Sequence, residues 1–130
     1  MGLELKNISK VSQGYQTLHN LDLTIEDGSF VGIVAPTGTG KTTLLRLMAG
    51  LEKPEKGSVE VDGQDVTHIH VRNRNVAMVY QQFINYPSLT VYENIASPLR
   101  VSGSLSRTDL ARRVQATAAQ LQIAEYLSRL

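Results

Sequence analysis

The stretch Ala35-Pro36-Thr37-Gly38-Thr39-Gly40-Lys41-Thr42-Thr43 constrains this chain more than any other. It follows a continuously apolar, β-rich run, Phe30-Val31-Gly32-Ile33-Val34-Ala35, as expected of a strand covered on both faces. After it, Leu44, Leu45, Leu47 and Met48 predict a helix over Thr42 to Ala49, with Gly50 as its stop. Gly38 and Gly40 let the backbone curl so that successive N–H groups point into one concave nest, backed by the positive end of the helix dipole. Lys41 supplies a mobile ammonium, and Thr42 a hydroxyl suited to Mg²⁺. Such a loop between strand and helix predicts a phosphate site. The blander alternative is a glycine-rich turn with a solvated lysine. Ala35 departs from the strict pattern, which has glycine at that position, but the donor-bearing part of the loop is intact.

Upstream, Leu3, Leu5 and Ile8 suggest a half-buried strand, Gly14 a turn, and Leu18, Leu21, Leu23 and Ile25 a second strand. Asp27-Gly28 signals another turn. Beyond the loop, Pro54 to Gly57 turns the chain into a strand over Ser58 to Val61, closed by Asp62-Gly63. Val66 to Asn73 is polar and reads as a surface connection. Val76-Ala77-Met78-Val79-Tyr80 is a second candidate for a buried strand. From Val91 onward the pattern is helical. Ser106-Arg107-Thr108-Asp109 has capping-box form, and Leu110, Val114, Ala118 and Leu121 follow at helical spacing.

Composition mainly excludes. At 130 residues the chain is one domain or part of one, and its 42% apolar and 19% charged residues are ordinary for a globular protein. Thirteen basic against twelve acidic residues leave a net charge of +1, with no whole-chain pull toward nucleic acid. With no cysteine there is no disulfide and no thiolate metal site, which suits a reducing cytosol. The first residues carry no apolar core of a signal peptide, and Lys6 stands where a myristoylation motif needs Ser or Thr. No apolar stretch approaches the ~20 residues that span a bilayer. His68 and His70 sit two apart without a third ligand nearby, a poor start for a zinc site.

With the loop placed, its flanks resemble the nucleotide-binding domains of ABC transporters, most closely the carbohydrate-importer ATPases. Thr42-Thr43-Leu44-Leu45-Arg46-Leu47-Met48-Ala49-Gly50-Leu51-Glu52 looks like the family's first helix and its exit. Gly57 to Val66 is similar to the strand that follows it. Arg74-Asn75-Val76-Ala77-Met78-Val79-Tyr80-Gln81 resembles the strand leading into the family's Q-loop. Pro87, Leu89-Thr90-Val91, Glu93-Asn94-Ile95-Ala96 and Pro98-Leu99 fall where the next segment of that family would put them.

The resemblance implies an α/β fold, a P-loop NTPase core with an N-terminal antiparallel β subdomain and the start of a helical subdomain. The domain would be incomplete, with residues 1–95 as β subdomain and core and 96–130 as helical portion. It implies ATP and Mg²⁺ as ligands, held by Ala35, Pro36, Thr37, Gly38, Thr39, Gly40, Lys41, Thr42 and Thr43, with Lys41 and Gln81 catalytic and Thr42 and Gln81 at the metal. The family stacks adenine on an aromatic upstream of the second strand. Direct spacing puts Ser12 near that place, and Tyr15, three residues on, is the candidate; a surface tyrosine is the alternative. Phe83, Ile84, Tyr86 and Leu89 would help receive a coupling helix of transmembrane permease subunits, or else pack on the helical tail. A second ATPase subunit, identical or not, is the other implied partner, with no nucleic acid. The implied location is peripheral, on the cytoplasmic face of the plasma membrane. The wording of Gln82-Phe83-Ile84-Asn85-Tyr86-Pro87 looks more like importers of glycerol or related polyols.

Other parts of the family's hydrolytic site have no match in this sequence: the apolar run ending in Asp-Glu, the Leu-Ser-Gly-Gly-Gln signature, and a histidine beyond the Q-loop. The expectation is a piece that binds ATP and hydrolyses it poorly, in which Phe30 to Val34 or Val76 to Tyr80 presents an unpaired edge. A cassette of a soluble, non-transport assembly is the main alternative, followed by a non-catalytic interaction piece. A small P-loop kinase is disfavoured by the residues around Gln81.

Overall fold

The computed structural model describes residues 2–12, 14–103 and 105–130, which form two units divided between Val79 and Tyr80. Met1, Gln13 and Ser104 lie outside the described residues. In the first unit, β1 (Leu3–Ser12) pairs antiparallel with both β2 (Tyr15–Ile25) and β3 (Lys56–Val61). A short β4 (Gln64–Asp65) completes a sheet of order β2-β1-β3-β4. Asp62 (φ 50°) and Gly63 (φ 77°) make the two-residue turn between β3 and β4. Positive φ at both positions matches the right-handed twist of the paired strands.

The break in the apolar alternation of β1, from Leu5 to Ile8, has a structural cause. Asn7 takes φ 54°, and the registers with β2 and β3 both shift there. This bulge carries Leu5 and Ile8 into the same core although they are three residues apart. Asp22 supports it by accepting the Asn7 N–H at 2.7 Å. Gly57 (φ 89°) passes so close to the carbonyls of Lys6 and Asn7 that a Cβ would overlap them.

The helix predicted after the glycine loop is α1 (Lys41–Ala49). Leu44, Leu47 and Met48 bury against Leu5, Ile8, Val59 and Val66. Gly50 (φ 78°) ends it: its N–H reaches the Leu47 carbonyl at 3.0 Å, and the Leu51 N–H reaches that of Arg46 at 2.9 Å. The connection after β4 differs from its sequence reading, because Val66 and Thr67 are buried. The Thr67 hydroxyl accepts the Val59 N–H at 2.8 Å and donates to Asp65 at 2.5 Å, so this threonine is polar but fully engaged. These bonds, the hydroxyl's first and the Thr67 N–H second, hold the Asp65 carboxyl below its ordinary range.

Two expected strands do not form. Neither Phe30–Ala35 nor Val76–Tyr80 joins a ladder among the described residues, and Phe30, Val34 and Val79 are fully exposed. Both segments have strand-like composition. A ladder, however, needs a neighbour, and the described sheet offers these segments none.

In the second unit, α2 (Val91–Ser102) and α3 (Arg107–Gln120) enclose Ala96, Leu110, Val114, Ala118 and Leu127. Ser106 caps α3 as its sequence suggests, accepting the Asp109 N–H at 3.1 Å. Leu121, counted in the helical stripe from spacing alone, lies past the helix and is exposed. The full capping box falls instead at α2, between Thr90 and Glu93. The remaining donors of its first turn meet the chain's end, Val91 N–H to the Arg129 carbonyl at 2.8 Å and Tyr92 N–H to that of Leu127 at 2.9 Å. No helix among the described residues is long and apolar enough to cross a membrane.

Candidate nucleotide-binding site

Gly38 (φ 84°) and Gly40 (φ 89°) both take the left-handed conformation that glycine adopts without steric cost. Gly38 looks into open space. Gly40 is pressed against β2, where a Cβ would lie 2.9 Å from the Thr17 methyl and 3.1 Å from the Thr17 carbonyl oxygen. The Thr39 hydroxyl donates to the Pro36 carbonyl at 2.8 Å and closes the turn. The Lys41 ammonium folds back over the loop and donates to the carbonyls of Ala35 at 2.6 Å and Pro36 at 2.7 Å.

The start of α1 is arranged for an anion. Its first intrahelical bond runs from the Leu44 N–H to the Gly40 carbonyl at 2.8 Å. The N–H groups of Lys41, Thr42 and Thr43 therefore have no acceptor within the helix, and no side chain caps them. No acidic residue stands in the first turn to compete for these donors. Residues 31–39 and Thr42 are exposed, so a ligand can reach the nest. Uncapped N–H groups, a dipole end and a lysine fit a phosphate chain. The Thr42 hydroxyl offers one oxygen to a hard cation, in keeping with a Mg²⁺ that keeps most of its ligands as water and phosphate.

Tyr15 opens β2, two residues before Thr17, with its side chain exposed. Because Thr17 abuts Gly40, the candidate adenine platform and the phosphate loop are brought to one region of the first unit. Gln81 falls in the second unit and is exposed. So do Phe83, Ile84 and Tyr86, also exposed, and Leu89, half-buried. The order of that segment rests on Asn94, which sequence reasoning passed over. Its amide accepts the Tyr86 N–H at 2.8 Å and donates to the carbonyls of Tyr86, Leu89 and Thr90, each at 3.1 Å. An asparagine four residues into a helix that begins at a threonine cap was the available signal. His70 turns out to cap a 3-10 turn, its Nδ1 accepting the Arg72 N–H at 3.3 Å.

The family model described as ABC transporter matches residues 18–130. The chain belongs to the ABC transporter family. Among curated relatives, the alpha-glucoside transport ATP-binding protein AglK of Rhizobium meliloti is 42% identical over 129 residues, 99% of this chain and 35% of that protein. The sn-glycerol-3-phosphate import ATP-binding protein UgpC of Cereibacter sphaeroides is 39% identical, over 98% of this chain and 36% of its own length. Others at comparable identity are named for import of Fe(3+) ions and of sulfate or thiosulfate. This ABC chain thus spans about a third of the length of the curated relatives it matches. Among solved structures, the ATP-binding cassette MJ0796, in a dimeric post-hydrolysis state bound to ADP and Pi, superposes with a TM-score of 0.82 at 29% identity. That match covers 97% of this chain and 60% of the other. The α/β class expected from the resemblance is the class of the fold, present here as part of an ABC ATPase domain.

Proposed function

We propose that this chain is the nucleotide-binding part of the ATPase subunit of an ABC importer, binding ATP with Mg²⁺ to drive uptake of a carbohydrate or polyol. The observation that carries this reading is the phosphate nest at the uncapped start of α1, with the Lys41 ammonium folded over it. Backbone N–H groups from Gly38 to Thr43 would hold the β- and γ-phosphates, and Lys41 would exchange its two carbonyl partners for phosphate oxygens. Thr42 would supply a ligand to Mg²⁺, which would neutralise the charge that builds on the phosphates during transfer, and Gln81 would keep the catalytic role that the family resemblance gives it. Tyr15 would take the adenine face. Phe83, Ile84, Tyr86 and Leu89 would meet the permease, with a second ATPase subunit alongside, at the cytoplasmic face of the plasma membrane. The names of relatives at comparable identity divide between alpha-glucoside or glycerol-3-phosphate and Fe(3+) ions or sulfate, so the solute class rests on the wording of residues 82–87.

Titration calorimetry with ATP and Mg²⁺ tests the site. Lys41→Ala should weaken binding by roughly 2–4 kcal/mol, the worth of a charged hydrogen-bonded contact shielded from water. Equal affinity in the two proteins would overturn the assignment.

A further inference from the structure

Arg74 makes more polar contacts than any solvent-facing role requires. Its Nε donates to the Ile69 carbonyl at 3.0 Å, Nη1 to that of Met48 at 3.3 Å, and Nη2 to those of Val66 and Thr67. All four partners are main-chain oxygens, so the arginine ties segments together, and among the described residues it makes no ion pair with a carboxylate. The Met48 carbonyl is one of the last four of α1, which lack intrahelical donors. Gly50 and Leu51 cap two others, from Leu47 and Arg46, and Arg74 takes Met48. Gly50 is needed twice over, since a Cβ there would overlap the guanidinium as well as oppose the left-handed φ.

The opposite end of α1 carries Lys41 and Thr42. Between the two ends the helix is held by Leu44, Leu47 and Met48 on an apolar floor. These packed side chains seat the helix but make no directional bond to it. A guanidinium with a fixed fork of donors is directional. At the phosphate end, the close approach of Gly40 to Thr17 fixes how near α1 lies to β2, without setting its rotation. We propose that Arg74 is a positioning residue for the phosphate loop, setting the axial and rotational placement of α1, and with it Lys41 and Thr42, through the Met48 carbonyl and the 66–69 connection. The inference rests on the reading of the loop as a nucleotide site.

The test is ATP affinity, measured by calorimetry on the 130-residue chain at a temperature where circular dichroism shows each variant at least about nine-tenths folded. Loss of folded protein alone can then weaken apparent affinity by only about a tenth. Arg74→Ala should weaken ATP binding about tenfold, the order expected when one charge-assisted hydrogen bond to phosphate is displaced. Millimolar methylguanidinium, which can refill the space beside Gly50, should restore most of that loss. Arg74→Lys keeps the charge, folds more readily, and should still lose several-fold, because a single ammonium cannot span the carbonyls of Met48 and the 66–69 connection. Wild-type affinity in either variant, while Lys41→Ala weakens binding as expected, overturns the proposal and leaves the nucleotide site standing. If Lys41→Ala binds as wild type does, the nucleotide reading itself has failed.

Discussion

Gly38 and Gly40 share a left-handed backbone, yet the structure asks different things of them. An alanine in that conformation costs about 1–2 kcal/mol from its own Cβ. At Gly38 nothing else stands in the way. At Gly40 the added methyl would also meet the Thr17 methyl and its carbonyl, and a carbonyl within a strand cannot move aside cheaply. Gly40→Ala is therefore expected to destabilise the protein more than Gly38→Ala, by about 1 kcal/mol or more. Urea unfolding of the two variants checks this, and an equal loss would show that the contact with β2 is soft. On the proposed nucleotide reading, Gly40→Ala should also weaken ATP binding, because it would push the loop off Thr17. Both glycines were legible from the sequence. Their unequal burden was not, because Thr17 is distant along the chain.

The α2 start shows how an element can be pinned by charge. Glu93 accepts from the Thr90 N–H at 2.9 Å and from the Thr90 hydroxyl at 3.1 Å, while Thr90 accepts the Glu93 N–H at 3.2 Å. The Thr90 N–H, and after it the hydroxyl, pull the Glu93 carboxyl below its ordinary value of 4.5. A carboxyl lowered in the folded state contributes stability that is fully present above the unfolded value and is lost as pH falls through the folded one. Amide-exchange protection of Val91 to Asn94 should therefore decline below pH 4.5. Glu93→Gln, which can still accept the bond but has no charge to lose, should flatten that decline. A decline of the same size in the variant would assign it to other groups. Val91 and Tyr92 also donate to the carbonyls of Arg129 and Leu127, so this helix start depends on the far end of its unit. The Thr-x-x-Glu box can be read in the sequence, but those two bonds cannot.

At the scale of the molecule, each unit has its own apolar cluster, and the chain also carries apolar surface that neither covers. Phe30, Val34 and Val79 are fully exposed, and Leu3, Leu45, Met48 and Val76 to Val79 line an open apolar groove of about 240 Å³. Exposed apolar segments of high β-propensity, free of ladder partners, favour association. The 130-residue chain is accordingly expected to associate with rising concentration in light-scattering chromatography. Amide exchange should show Phe30 to Val34 weakly protected in the dilute protein. A monodisperse monomer, strongly protected through that segment, would mean that the chain closes its own core in solution.

The sequence by itself determined the features whose causes lie within a few residues. These are the glycine loop and the helix after it, the stop at Gly50, the Asp62-Gly63 turn, the Ser106 cap, and the family that these motifs mark. Backbone conformation, capping and periodicity act over one or two helical turns, so local text encodes them. Only the tertiary structure decided that a bulge at Asn7 puts Leu5 and Ile8 in one core, that Thr67 is buried, that Asn94 clamps the segment before α2, and that Arg74 ties α1 to the connection after β4. It also decided that two strand-like segments remain unpaired. Pairing and polar burial depend on which distant groups arrive to accept or donate a hydrogen bond, and no local pattern of residues records that.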